Sequence, residues 1–219
     1  MVGLYIIPDW FFSYTIILGL IFGIITLVVG LYSLKIYRLS NQRQSKLFGV
    51  GFILISISYF IRAILTIILF SQLQIQKVID LSTFNLWSTI GLYVHLIFFL
   101  AGLITIFYMT IGVKSKRVYS ILFILLIAAL LFNPVKITFF NLFSIVFLVY
   151  IVIHYLLIYL KNKQLKNIVI LIAFTLILLS TIDLIFSVNK GIHYVIADIV
   201  SLIAYLIIMI NLIVIARKK

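Results

Sequence analysis

At 219 residues the chain could fold as one soluble domain, but 66% of it is hydrophobic and only 10% is charged, against roughly a quarter charged in soluble domains. Too little polar surface remains to cover a core, so lipid must do the covering, and an all-α polytopic membrane protein is expected. The formal charge of +13 does not indicate nucleic acid, because the basic residues stand in short runs between apolar stretches, as topology signals do. The absence of cysteine excludes disulfides and thiolate metal sites.

A bilayer core takes about 20 apolar residues per helix, within a range of about 17 to 25. The first candidate span, Trp10–Leu34, follows MVGLYIIPDW, which lacks a basic leader region, so no removable signal peptide is expected. The second, Leu47–Phe70, holds Arg62, and the third, Leu86–Thr110, holds His95. The fourth, Val118–Phe132, is the shortest, because Asn133-Pro134 ends it early. Lys116 and Arg117 are expected to snorkel at its start. The fifth, Phe139–Leu160, holds His154; the sixth, Asn167–Ser187, holds Asp183; the seventh, Ile192–Ala216, holds Asp198. Seven transmembrane helices are therefore expected, with no soluble domain and an inner loop around Leu39–Gln44.

Lysine and arginine set the orientation. Lys35, Arg38, Arg43 and Lys46 fall between spans one and two; Lys114, Lys116 and Arg117 between three and four; Lys161, Lys163 and Lys166 between five and six; Arg217, Lys218 and Lys219 after seven. With seven spans these thirteen share one side, and only Lys77, Lys136 and Lys190 stand on the other. The N-terminus is expected outside and the C-terminus in the cytoplasm of a prokaryotic-type cell membrane. Trp10 and Trp87 fall near outer helix ends, where aromatic anchors belong. Spans one to three and five to seven run in the same directions, which allows a 3 + 1 + 3 parallel repeat over residues 10–110 and 139–216. Its alignment sets Arg62 near Asp183.

Ionisable groups inside a membrane usually face the bundle interior and pair with one another. At about 1.5 Å of rise per residue, Arg62 lies roughly 12 Å from its outer helix end, His95 roughly 14 Å, Asp198 roughly 9 Å and Asp183 roughly 6 Å. His154 belongs to the inner half. The polar stripes agree in phase: Ser56, Tyr59, Arg62 and Thr66; Ser88, Gly91, His95 and Gly102; Ser180, Asp183 and Ser187; Tyr194, Asp198, Ser201 and Tyr205. The site expected from this pattern is an outward-facing pocket of Arg62, Asp198, Asp183, His95, Tyr59, Ser201 and Tyr205. Arg62 would be its anchor and Asp198 the main counter-charge. A purely structural ion pair fixing helix register is the competing reading.

Several chemistries do not fit. Retinal proteins share the seven-span silhouette, but four residues after Asp198 stands Leu202 rather than a Schiff-base lysine, and no lysine lies mid-span. Three zinc ligands must meet one ion at about 2.0–2.2 Å, whereas His95, His154 and His193 occupy three different depths. No GxSxG serine elbow is present. Pro8 and Pro134 are the only prolines, both at helix ends, which weighs against the broken helices of rocking transporters. No enzyme, cofactor or metal is expected, with an intramembrane hydrolase as the alternative to a non-enzymatic role. The expected function is receptor- or sensor-like: the pocket binds a small ligand or proton and the basic inner loops reach a membrane or cytoplasmic protein partner. A small-solute or proton-coupled transporter and a structural subunit of a membrane complex are the alternatives.

Overall fold

The computed structural model of the chain describes residues 11–75, 81–113, 115–132, 136–187 and 190–217. Trp10, Lys77, Lys114, Pro134, Lys218 and Lys219 lie outside them, as do the side chains of Ser88 and Trp87. The described residues form seven helices and no strand: α1 (Phe12–Ser40), α2 (Arg43–Ile75), α3 (Leu81–Ile111), α4 (Lys116–Phe132), α5 (Lys136–Asn162), α6 (Leu165–Phe186) and α7 (Gly191–Arg217). Six of them are long and apolar enough to cross a membrane. The exception is α4, with 17 residues, at the lower limit for a span.

The helices run past their apolar cores into the basic segments, and this corrects the expected inner loop. Helix α1 continues to Ser40 and α2 begins at Arg43, leaving only Asn41 and Gln42 between them. A chain reverses in so few residues by adopting a left-handed residue at the helix end, which lets its amide reach back to an otherwise unpaired carbonyl. Asn41 does this at φ 53, its N–H donating to Tyr37 O at 2.7 Å. Gly112 (φ 73) follows α3, and Lys163 (φ 48) follows α5, with its N–H on Tyr159 O at 2.7 Å. Asn and Gly suit this conformation; lysine does not. Lys163→Gly is expected to raise stability by about 0.5–1 kcal/mol, seen as a higher melting temperature in detergent, since relief of Cβ strain outweighs glycine's entropy.

Side-chain pairs fix the topology. Helices α1 and α2 are antiparallel, with Gly30 against Gly49 and Ser56 Oγ donating to Gly23 O at 2.7 Å. Helices α2 and α3 are antiparallel, with Gly51 against Gly102 and Ser58 against His95. Helices α6 and α7 meet at Ser180–Ser201, and α5 and α6 at Tyr155–Phe174. The remaining contacts are parallel: Phe99–Phe140 and Phe107–Phe147 join α3 to α5, and Phe11–Tyr194 and Phe22–Tyr205 join α1 to α7. The ring α1-α2-α3-α5-α6-α7 thus closes on itself. Helix α4 stays outside it, held to α3 by Thr105–Tyr119 and Tyr108–Tyr119 contacts.

Outward stripes complete the pattern. Tyr14, Ile17, Ile21, Ile24 and Leu31 on α1, and Ile192, Ile196, Ile199, Ile203, Ile210 and Val214 on α7, are exposed at helical spacing. In water such faces would be an aggregation hazard; in a bilayer they face acyl chains. The apolar core lies toward the basic ends of the helices, around Phe48, Phe52, Ile106, Phe174 and Ile208.

Candidate functional site

At the other end the ring does not pack solid. A cavity of about 240 Å³ lies along its axis, and all six ring helices line it. Helix α2 contributes Tyr59, Arg62, Leu65 and Thr66; α3 contributes Gly91, His95 and Phe99; α7 contributes Tyr194, Asp198, Ser201 and Tyr205. Thr15 of α1, Phe140, Asn141 and Ser144 of α5, and Ile177, Ser180 and Leu184 of α6 complete the wall. The floor is aromatic. Tyr59 sits between Phe22 (5.0 Å between ring centroids), Phe99 (6.0 Å) and Tyr205 (6.0 Å), and its hydroxyl is 3.2 Å from that of Tyr205.

Six of the seven residues singled out from the sequence line this cavity: Arg62, Asp198, His95, Tyr59, Ser201 and Tyr205. Asp183 does not join them. Its Oδ1 lies 2.7 Å from Nδ1 of His193, and it borders a shallow groove between α6 and α7 on the outside of the ring. The reason is helical phase. At 3.6 residues per turn the stripe Ser180, Asp183, Ser187 is centred roughly a sixth of a turn away from the face Ile177, Ser180, Leu184 that meets the cavity. The stripe therefore faces α7, and only Ser180 belongs to both faces.

Arg62 and Asp198 share the cavity without a direct ion pair between them. Arg62 Nη2 donates to the Tyr194 hydroxyl, and the guanidinium carbon lies 5.8 Å from that ring's centroid. Tyr194 stands one helical turn before Asp198, so the cation is engaged one turn from the carboxylate. The Asp198 side chain is 9% exposed and takes no hydrogen bond or ion pair from any described residue. Tyr194→Phe removes a hydrogen bond to a charged group, typically about 1.5–3 kcal/mol; a loss of that order in denaturant or thermal unfolding is expected, with the ring contact preserved.

His95 is tied to α2 by a reciprocal pair. Ser58 Oγ lies 2.6 Å from His95 Nδ1 and 3.0 Å from His95 O, and Nδ1 lies 3.1 Å from Ser58 O. The assignment that satisfies every partner has Nδ1–H donating to Ser58 and the Ser58 hydroxyl donating to the His95 carbonyl. Nε2 then carries a lone pair, on a residue that lines the cavity. Ser58 was invisible as a partner in sequence, since it lies off the polar stripe of α2.

Two further pieces complete the wall. Ser180 Oγ donates to Ala197 O at 2.9 Å and lies 2.5 Å from Ser201 Oγ, closing the α6–α7 seam. On α5, Ser144 is 1% exposed and its Oγ has no hydrogen-bond partner among the described residues. Comparison with protein families, curated proteins and solved structures gave no match. Function must be read from the site alone. Among the described residues, no three His, Asp or Glu side chains gather as a metal site.

Proposed function

We propose that this chain is a receptor- or sensor-like membrane protein that binds a small ligand in the axial cavity and passes the change to a protein partner through its basic helix ends and the short turns between them. The observation that carries the reading is one cation and one anion, from α2 and α7, lining a single cavity without being spent on each other. A pair serving only to fix helix register would place its two charges in contact, where Coulombic attraction offsets their desolvation. Thirteen basic residues on one side support an orientation with the cavity end outside and the C-terminus in the cytoplasm of the cell membrane. The ring order, with α1–α3 and α5–α7 meeting through parallel contacts, also supports the 3 + 1 + 3 repeat, with Tyr59, Arg62 and Thr66 corresponding to Ile177, Ser180 and Leu184 rather than to Asp183.

The receptor reading is favoured over the carrier because the floor of Phe22, Phe52, Tyr59 and Tyr205 is buried and closely packed. The test is a panel of amino acids, amines, carboxylates and sugars offered to the reconstituted protein, scored for binding and for uptake into proteoliposomes. Saturable binding lost in Asp198→Asn, with no accumulation inside the vesicles, is the expected result. Accumulation would make the chain a carrier, and no binding by any solute would leave the charges a structural role.

A further inference from the structure

We infer that the basic end of the bundle binds anionic phospholipid headgroups, at the corner formed by the α1–α2 turn and the start of α4; this goes beyond the reading above and needs no ligand in the cavity. Lys35 and Arg38 stand near the end of α1, Arg43 and Lys46 open α2, and Lys116 and Arg117 open α4, all six exposed. None of them meets a carboxylate among the described residues. The sequence explains why. The chain has four acidic residues: Asp9 and Asp80 shortly before α1 and α3, and Asp183 and Asp198 within α6 and α7. None falls in a segment that joins helices at the basic end. Lysine and arginine set orientation while acidic residues contribute little to it, so topology accounts for the cations but not for the missing anions.

Tyrosines hold three of these cations without neutralising them. Arg43 Nη2 donates to the Tyr108 hydroxyl at 3.0 Å and to Val113 O at 3.4 Å, with its guanidinium carbon 5.5 Å from the Tyr108 centroid. The Tyr108 hydroxyl donates in turn to Ser115 O at 3.0 Å, which ties the start of α2 to the segment leading into Lys116 and Arg117. Lys46 Nζ lies 5.5 Å from the Tyr37 centroid and Lys35 Nζ 6.0 Å from that of Tyr32. A ring attracts a cation through its quadrupole and carries no net charge to cancel it, so positive charge stays concentrated at the corner. Apolar side chains continue the same helix faces toward the middle of the bundle. Lys35 and Arg38 stand four and seven residues after exposed Leu31, and Arg43 and Lys46 stand seven and four residues before exposed Val50. Arg117 stands four and seven residues before exposed Ile121 and Ile124. Each of the three helices thus offers cations at its end and an exposed apolar stripe about one turn further in. A phospholipid with a negative headgroup matches both parts, whereas an acidic protein segment would match only the cations.

The test offers the full-length protein, in neutral detergent, equal amounts of phosphatidylglycerol and phosphatidylcholine with matched acyl chains. The protein is repurified and the retained lipids are counted by mass spectrometry. Phosphatidylglycerol is expected to be retained over phosphatidylcholine by about tenfold, since each basic residue near an anionic headgroup contributes roughly a fivefold gain. In 1 M salt, where the screening length is about 3 Å, the ratio should fall several-fold. The combined variant Lys35→Gln, Arg38→Gln, Lys116→Gln, Arg117→Gln leaves the Arg43–Tyr108 contact in place and should bring the ratio near one. Lys136→Gln with Lys190→Gln, at the other end of the bundle, should leave it unchanged. The wild-type and salt arms need no variant, so a poorly folding fourfold protein does not blunt them. Equal retention of the two lipids by the wild-type protein would overturn the inference, as would a preference that survives both salt and the fourfold change. A loss as large in the Lys136/Lys190 variant would overturn the placement at this corner. Poly-L-glutamate binding to a protein that retains both lipids equally would assign the face to an acidic protein segment instead.

Discussion

Gly102→Ala is expected to destabilise the protein by about 2–3 kcal/mol, the cost of forcing volume into a packed interface. The sign is the informative part. At an exposed helix position glycine to alanine gains close to 1 kcal/mol from helix propensity. At Gly102 an added Cβ would stand 2.5 Å from the Gly51 carbonyl oxygen and 2.6 Å from Ile55 Cγ1, and backbone cannot swing aside as a side-chain tip can. Close approach of small residues is how membrane helices gain packing contact when lipid removes the hydrophobic drive. Pushing α3 away from α2 also strains the Ser58–His95 pair, about two turns along the same interface. A raised melting temperature for Gly102→Ala would show that α2 and α3 do not cross there.

Arg62→Leu is expected to cost about 2–4 kcal/mol, and more than Arg62→Leu combined with Asp198→Asn. The single change removes the hydrogen bond to Tyr194 and the cation over its ring, and it leaves the Asp198 carboxylate buried without a compensating field. A buried charge that loses its partner is costlier than a pair neutralised together. Because the two groups are not in contact, the coupling in a thermal double-mutant cycle should lie near 1 kcal/mol rather than at the top of the roughly 0.5–3 kcal/mol range for neighbours. Strict additivity would mean that Arg62 and Asp198 do not sense each other across the cavity.

How far the sequence reached can be judged from these residues. Hydropathy and basic clusters were enough for the helices, because a bilayer permits few alternatives. Their ends were not legible: helix propensity in KIYRLSNQRQSK carried α1 and α2 through a segment that charge alone marks as a loop. Helix α7 showed its cavity face correctly, since Tyr194, Asp198, Ser201 and Tyr205 all point one way. Helix α6 misled because its polar stripe serves the contact with α7, where His193, at the start of the next helix, offers Asp183 a partner ten residues away. The α5 wall left little trace, because Asn141 and Ser144 are uncharged and flanked by aromatic residues. Polar periodicity marks a buried face, but it does not distinguish a cavity from a neighbouring helix.

The absence of native cysteine makes the most direct measurement simple. Ser201→Cys places a thiol on the cavity wall, and a cysteine appended after Lys219 reports the tail. A small membrane-impermeant methanethiosulfonate applied to intact cells should modify the cavity thiol and leave the tail untouched until the membrane is opened. A cavity thiol reached only from the side of the basic loops, or a tail labelled from outside, would contradict the account.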